Sequence, residues 1–279
     1  MISAFLRTIL PARRGDRAAL DPACRRALAP APGHCVYAVG DVHGQVGQLR
    51  AMVAAIAARA QDDRARGEVP VAVFLGDYID RGDDSRAVLD LLCDLPQAEP
   101  TVRWVFLAGN HEASVLGFLD DPQTHAPWLR FGGIETMASY GVPPAAAETL
   151  RQSRDRLAQA LPDRHLDFLR GLRHSYESGD YVFVHAGLRP GVPLAQQRAE
   201  DLLWIRDEFL GRPCWHGKCV VHGHTIEPEP AVLEWRMGID TGAYAGGALT
   251  CLALRSGLRE LAAVPPQGGP PDWRLVAVP

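Results

Sequence analysis

Short apolar runs in this chain end in turns that carry histidine, aspartate or asparagine. The run at residues 36–39 leads into GDVHG, and the run at residues 71–75 leads into GDYIDRG. Runs of this length predict buried strands of an α/β sheet, and the glycine that follows each lets the backbone turn sharply. We therefore expect Asp41, His43 and Asp77 just past the carboxyl ends of two strands, where open α/β sheets bind ligands.

Three further junctions repeat the pattern later in the chain. They are GNHE at residues 109–112, HAG at residues 185–187 and HGHT at residues 222–225, each after an apolar run. Carboxylates and imidazoles gathered on tight turns are what a hard or borderline divalent cation requires. An aspartate taken alone is explained as a helix N-cap or Asx-turn, but capping gives no reason for His or Asn at the other junctions. The set of five therefore predicts a metal site.

In this order, the five motifs resemble the signature of the calcineurin-like metallophosphoesterases. More narrowly, they are similar to the phosphoprotein phosphatase family and its bacterial Ser/Thr protein phosphatase-like members. The similarity extends from about residue 36 to the apolar strand around Thr250. It implies an α/β fold, a four-layer α/β/β/α sandwich, in which a helical insertion at about residues 113–175 caps the site.

The resemblance also implies two divalent metal ions and their ligands. Asp41 and His43 would bind the first metal, and Asp77 would bridge both. The ligands that complete the second metal would be Asn110, His185 and His224. His222, in the same motif as His224, would instead orient a ligand through a hydrogen bond. Oxygen and nitrogen ligands without thiolate suit manganese, with iron or zinc as alternatives.

The implied reaction is hydrolysis of phosphoserine- or phosphothreonine-type esters by a hydroxide that bridges the two metals. The forked guanidinium of Arg81 would bind two phosphoryl oxygens, and Arg206 resembles a second phosphate-binding arginine of bacterial relatives. His111 would protonate the leaving oxygen. Asp80 would be its partner and would raise the pKa of the imidazole.

Two other functions match parts of the sequence. Symmetrical dinucleoside tetraphosphate hydrolases share the strand order and a segment similar to residues 240–250. That family, however, typically lacks the acid at the position of Asp80 and has Asp where this chain has Glu112. A regulatory module with a dead site would lack a metal ligand, and none of the six is missing. The sequence therefore favours a phosphomonoesterase of the protein phosphatase type.

Composition limits the classes of binding partner that we expect for this chain. The net charge of −4 over 279 residues gives no reason to expect a nucleic acid partner, and no apolar stretch is long enough for stable insertion into a membrane. The six cysteines are scattered without a CxxC pair, which indicates a reduced, cytoplasmic protein. The expected substrate is a phosphorylated protein or a small phosphoester.

Residues 1–35 differ from the catalytic domain predicted for residues 36–279. They carry six arginines against two aspartates, a net charge of +4. Three interpretations stay open: a helix docked in cis on the catalytic domain, an arm that binds a membrane surface or a partner, and a targeting peptide.

Two expectations concern packing. The strands of the final third, from residue 232 onward, should form a second, more antiparallel sheet on the first. Trp128 and Phe131 are candidates for the wall of the cleft, but core packing is the favoured interpretation for both.

Overall fold

Two β-sheets lie face to face, with helices on both outer faces. The computed structural model describes residues 28–211, 213 and 217–276, and within these ranges it contains eleven strands and eight α-helices. The strands are β1 (His34–Val39), β2 (Val69–Phe74), β3 (Arg103–Phe106), β4 (Ser175–Ser178), β5 (Tyr181–Val184), β6 (Cys219–His222), β7 (Ala231–Val232), β8 (Arg236–Gly238), β9 (Leu249–Arg255), β10 (Leu258–Val264) and β11 (Arg274–Leu275). The helices are α1 (Val46–Ala65), α2 (Ser85–Ala98), α3 (Asn110–Asp120), α4 (Gly133–Ser139), α5 (Leu150–Ala160), α6 (Asp163–Arg170), α7 (Ala199–Trp204) and α8 (Asp207–Leu210).

The first sheet has the strand order β11-β10-β9-β1-β2-β3. Strands β1, β2 and β3 are parallel, and β9 to β11 add an antiparallel half. Alternate side chains of β1 serve two cores: Tyr37 and Val39 face the helical layer, while Val36 and Ala38 face the second sheet. Because both faces of β1 are buried, its sequence is a continuous apolar run.

The second sheet has the order β4-β5-β6-β8-β7, in which β5, β6 and β8 are parallel. Its inner face packs on the first sheet through residues such as Phe183 and Met237. Its outer face packs on α7 and α8, where Leu202 and Phe209 cover Val182. The layers therefore run helix, sheet, sheet, helix, as the resemblance implied.

The final third of the chain divides between the two sheets, so the expectation that it builds the second sheet is wrong. Only β7 and β8 join that sheet, which begins with β4, β5 and β6. Strands β9, β10 and β11 extend the first sheet, because β9 pairs antiparallel with β1. Nearly every residue of β9 is buried, as a central strand covered on both faces requires.

The helical insertion contacts the catalytic region through its first part. There, a 3₁₀ segment (Ala126–Phe131) leads into α4, and the carbonyl oxygen of Gly132 accepts a hydrogen bond from the N–H of Arg81 (3.3 Å). Helices α5 and α6 instead pack against α2 and α3. Trp128 is buried as expected, but the expected core position of Phe131 is wrong, because 61% of this residue is exposed.

Residues 1–27 lie outside the described part of the chain, so the hypotheses about the basic arm stay predictions. The described residues 28–31, which belong to the predicted arm, run beside the β4–β5 turn. The N–H of Ala29 donates to Oδ2 of Asp180 (2.9 Å), and the N–H of Ala31 donates to Oγ of Ser178 (3.0 Å). The described residues contain no helix that combines the length and apolarity needed to cross a membrane.

Candidate active site

Every predicted metal ligand follows a parallel strand of one of the two sheets. In the first sheet, Asp41 and His43 follow β1, Asp77 follows β2, and Asn110 follows β3. In the second sheet, His185 follows β5 and His224 follows β6. Strand β8 is parallel to β5 and β6, so it also ends at this edge. Each sheet therefore brings three carboxyl-terminal strand ends to the site.

One group of ligand atoms surrounds Nε2 of His185. The other ring nitrogen, Nδ1, donates a hydrogen bond to the carbonyl oxygen of Leu75 (2.9 Å). Burial lowers the pKa of His185, so its ring is neutral and Nε2 carries a lone pair. That lone pair lies 2.9 Å from Oδ1 of Asn110, 3.1 Å from Nδ1 of His224 and 3.4 Å from Oδ2 of Asp77. Lone pairs that converge in this way fit a bound cation.

A second group forms on the other side of Asp77. Nδ1 of His43 donates to the carbonyl oxygen of Ile79 (2.8 Å), which turns Nε2 toward Oδ2 of Asp77 (3.4 Å). Burial lowers the pKa of His43 to about 3 and keeps the ring neutral. Nε2 of His111 lies 3.9 Å from the same carboxylate oxygen. The ligand atoms of these three residues lie within 4.8 Å of one another.

Asp77 is common to both groups, as expected for a bridging ligand. Burial opposes its ionisation, but the neighbouring imidazoles of His185, His111 and His43 hold the pKa of Asp77 well below its usual range. Its other oxygen, Oδ1, accepts a hydrogen bond from the backbone N–H of His111 (3.1 Å).

Asp41 lies beside these two groups without belonging to either. Its Oδ2 accepts a hydrogen bond from the backbone N–H of His224 (3.0 Å). A Cβ atom on Gly223 would approach Oδ1 of Asp41 to 2.0 Å, so the bare glycine makes room for this carboxylate. Asp41 therefore borders the loop that carries His224, at the edge of the centre.

The residues fit two divalent cations. Nδ1 of His224 and Nε2 of His185 lie 3.1 Å apart, and a bound cation would accept both lone pairs. The donor atoms are carboxylate and amide oxygens and imidazole nitrogens, which suit hard and borderline metals. Asp77, Asn110, His185 and His224 would hold one ion. His43 and Asp77 would hold the other, and Asp41, the predicted third ligand of that ion, lies beside them.

The backbone at the site is strained. Among the described residues other than glycine, five have a positive φ, between 44° and 71°, and all five were singled out from the motifs. They are His43, Asp77, Asp80, Arg81 and His224. Such conformations cost of order 1–3 kcal/mol each and persist only where surrounding contacts impose them.

Glu112 supplies such contacts. Its buried carboxylate accepts hydrogen bonds from the N–H groups of Gly109 (2.9 Å), Asp77 (2.9 Å) and Tyr78 (2.8 Å). It thereby joins the loop after β2 to the loop after β3. The sequence motif included Glu112, but its supporting role is visible only in the fold.

His111 and Asp80 form a buried pair. Nδ1 of His111 donates to Oδ2 of Asp80 at 2.6 Å. The same carboxylate accepts hydrogen bonds from Nε1 of Trp128 (2.7 Å) and from the hydroxyl of Thr136 (2.6 Å). Burial opposes the charged imidazole, but the carboxylates of Asp77 and Asp80 raise the pKa of His111 above its usual value. The pair can therefore hold a proton on Nε2.

The two predicted phosphate arginines have different surroundings. The guanidinium of Arg81 lies 4.6 Å from the ring centroid of Tyr244, whose ring is also in edge-to-face contact with His43. Nη1 of Arg206 donates to the carbonyl oxygen of His224 (3.2 Å) and to the hydroxyl of Thr225 (3.1 Å). Both arginines thus border the metal ligands, one on each side.

Three residues at the site were missed by sequence reasoning. Asp240 follows β8 and approaches Asp41, and extending the strand-end pattern to β8 could have found it. Tyr244 has no signal in the sequence, because its contact with Arg81 joins distant segments. Trp204 is 49% exposed with its ring 6.4 Å from that of His224, and an exposed tryptophan cannot be recognised from sequence alone.

Comparison with known proteins decides the family. Residues 36–236 match the family model of the calcineurin-like phosphoesterases. The chain belongs to this family. It is a metallophosphoesterase, a hydrolase of a family that uses a dinuclear metal site, and the two His/Asp groups are able to bind such metals.

The relatives differ in their named substrates. This metallophosphoesterase is 29% identical to serine/threonine-protein phosphatase 1 of Salmonella typhimurium, over 79% of this chain and 92% of the relative. It is 24% identical to the asymmetrical bis(5'-nucleosyl)-tetraphosphatase PrpE of Bacillus subtilis, over 76% and 87%.

Solved structures support the fold. A putative diadenosine tetraphosphatase aligns with a TM-score of 0.56 and 21% identity, over 84% of this chain and 95% of its own. A cold-active protein-tyrosine phosphatase of Shewanella aligns with a TM-score of 0.55 and 16% identity, over 89% and 83%. At these identities the likeness concerns the fold alone.

The two histidines of the last motif give a first prediction. We expect His224→Ala to lose one of two bound metal ions per chain, measured by elemental analysis, because Nδ1 faces the cluster. His222 points away from it: its ring lies between Phe209 and Arg236, whose Nη1 is 3.2 Å from Nε2. His222→Ala should therefore keep both metals and lose about 1–3 kcal/mol of stability, since it leaves a buried donor without this acceptor.

Thermal unfolding of the two variants provides the control. If His222→Ala lost a metal while His224→Ala kept both, the assignment of the ligand would be reversed.

A second prediction concerns Gly109. A Cβ atom there would lie 2.1 Å from Oδ1 and 2.4 Å from the backbone nitrogen of Asp77, so alanine must displace the residue shared by both metal groups. We expect Gly109→Ala to lose both metals. Gly47→Ala is the matched control, because nothing lies within 4 Å of that Cβ position and alanine favours helix α1. Full metal content in Gly109→Ala would contradict the bridging position of Asp77.

Proposed function

We propose that this metallophosphoesterase is a phosphatase that hydrolyses phosphoserine- and phosphothreonine-type monoesters. The buried His111–Asp80 pair is the observation that carries the proposal. When bound, two divalent cations acidify a water molecule and neutralise charge on the phosphoryl group. The residues of the chain then have to bind the ester, orient it and deliver a proton to the leaving oxygen.

Arg81 is suited to binding the phosphoryl group. The centre of its guanidinium lies over the ring of Tyr244, and its planar fork of N–H donors matches phosphoryl oxygens. A forked arginine binds two such oxygens at once, which also fixes the orientation of the ester. Arg206 is proposed as a second phosphate contact, because it is anchored to the loop that carries His224.

His111 is suited to donating a proton. Asp80 holds Nδ1, and Trp128 and Thr136 hold Asp80, so the ring is fixed with Nε2 on the side of Asp77. The raised pKa of His111 favours the protonated ring near neutral pH. An acid built in this way is most useful when the leaving oxygen is basic, as in serine or threonine.

Asymmetrical hydrolysis of dinucleoside tetraphosphates is a second candidate function. Several curated relatives carry that activity in their name, including the PrpE proteins of Bacillus subtilis and Geobacillus thermodenitrificans. The motifs of the sequence indicate the symmetrical reaction as the alternative, whereas the names of these relatives specify the asymmetrical one. A leaving phosphate oxygen is weakly basic and needs little help from a general acid, which separates the two candidates by experiment.

We also propose manganese as the working metal, with iron or zinc as alternatives, because the ligand atoms are oxygen and nitrogen without thiolate. The described cysteines are free, which supports a reduced, cytoplasmic location.

The third prediction tests the proton donor. His111→Asn should reduce turnover of a phosphoserine peptide by about 10²–10⁴, the usual effect of a positioned acid, and should affect p-nitrophenyl phosphate much less. Nitrophenolate leaves readily as an anion, so it needs no proton. Asp80→Asn should show the same pattern more weakly, because it removes only the partner of the imidazole. Equal losses on both substrates, with both metals retained, would point to phosphate binding instead.

The fourth prediction decides between the two functions. Protein reconstituted with manganese should hydrolyse a phosphoserine peptide with a higher kcat/KM than diadenosine tetraphosphate, when both are assayed side by side with a phosphotyrosine peptide. Treatment with a chelator should abolish all of these activities. A higher kcat/KM for diadenosine tetraphosphate, with ATP and AMP as products, would favour the second candidate.

A further inference from the structure

The sixth strand end at the site carries Asp240, a buried carboxylate that none of the five motifs contains. It follows β8, the third parallel strand of the second sheet, and is only 4% exposed. Its backbone is fixed, because its carbonyl oxygen accepts a hydrogen bond from the N–H of Glu227 (3.1 Å). Its Oδ1 accepts a hydrogen bond from the N–H of Gly242 (3.0 Å).

Asp240 lies beside Asp41, because the two chain segments are in direct contact: a Cβ atom on Gly40, the residue before Asp41, would lie 2.5 Å from the carbonyl oxygen of Ile239 and 3.6 Å from the backbone nitrogen of Asp240. Both residues are buried, and within the described ranges neither forms a salt bridge with an arginine or lysine. Two neighbouring carboxylates in a buried site are unfavourable unless they share a proton or a cation lies beside them.

The residues around Asp41 hold its carboxylate at the edge of the candidate metal centre. The backbone N–H of His224 donates to one of its oxygens, and the missing side chain of Gly223 leaves space beside the other. Nδ1 of His224 lies 3.1 Å from Nε2 of His185, so the loop that Asp41 contacts is the loop that carries a predicted metal ligand. Asp240 is thus a further contact that fixes Asp41.

We propose that Asp240 is a positioning residue of the metal centre, which orients Asp41 and adds negative charge beside the cation held by Asp41, His43 and Asp77. The inference rests on the proposed metal ligands. The competing role is structural: Oδ1 of Asp240 serves only to close the turn at Gly242.

Two substitutions separate these roles. Asp240→Asn keeps an oxygen acceptor for the N–H of Gly242 but removes the charge, whereas Asp240→Ala removes both. We expect both variants to bind one of two manganese ions about 10–100-fold more weakly, the usual effect of an outer partner of a metal ligand. Titration calorimetry of demetallated protein with manganese alone measures this without any substrate.

Asp201→Asn is the matched control, because Asp201 is a buried aspartate outside the centre whose Oδ1 accepts a hydrogen bond from Nε of Arg189 (2.9 Å). It should bind manganese as the wild type does. Wild-type affinity in Asp240→Asn together with a loss in Asp240→Ala would reduce Asp240 to a turn residue, and wild-type affinity in both would overturn the proposal. Wild-type protein that bound no manganese pair would instead refute the ligand set, whereas failure of the phosphatase assays alone would leave these affinities unaffected.

Discussion

The candidate metal centre depends on the carboxylate of Glu112, which is fully buried and is not itself a predicted ligand. It accepts hydrogen bonds from four backbone N–H groups and so ties the loop after β2 to the loop after β3. Asp77, the residue common to both groups of ligand atoms, projects from this tied backbone with φ of 51°. An unsupported loop would relax from such a conformation. The predicted shared ligand, Asp77, is therefore positioned by contacts with Glu112, which lies in another segment of the chain.

A single loop after β2 supplies three different chemical roles. Asp77 belongs to the metal groups, Asp80 holds His111, and Arg81 faces Tyr244. Positive φ angles at all three residues turn successive side chains in different directions. Thr136 on α4 secures the arrangement, because its hydroxyl both donates to Oδ1 of Asp80 (2.6 Å) and accepts from the backbone N–H of Asp80 (2.9 Å). The helical insertion therefore contributes to the catalytic loop without supplying a ligand.

The strands that carry the motifs were predictable because each is buried on both faces, and such strands have continuously apolar sequences. The ligands at their ends follow from the same pattern, and His43, Asp77, His185 and His224 do converge. Features that rest on long-range pairing were not predictable. Strand β9 joins the first sheet through a partner more than two hundred residues away, and Asp240 approaches the site because β8 pairs with β6 in the second sheet.

The predicted ligands come from both sheets, so metal ions bound there would also cross-link the two β-layers. An ion held by Asp77 of the first sheet and His185 of the second would join layers that pack through apolar contacts and hydrogen bonds such as that from His185 to Leu75. By mass action, an ion that binds only the folded chain adds RT ln(1 + [L]/Kd) to its stability. The supply of metal in the cell would then set the folding stability of the chain, in addition to the rate at which the enzyme converts substrate.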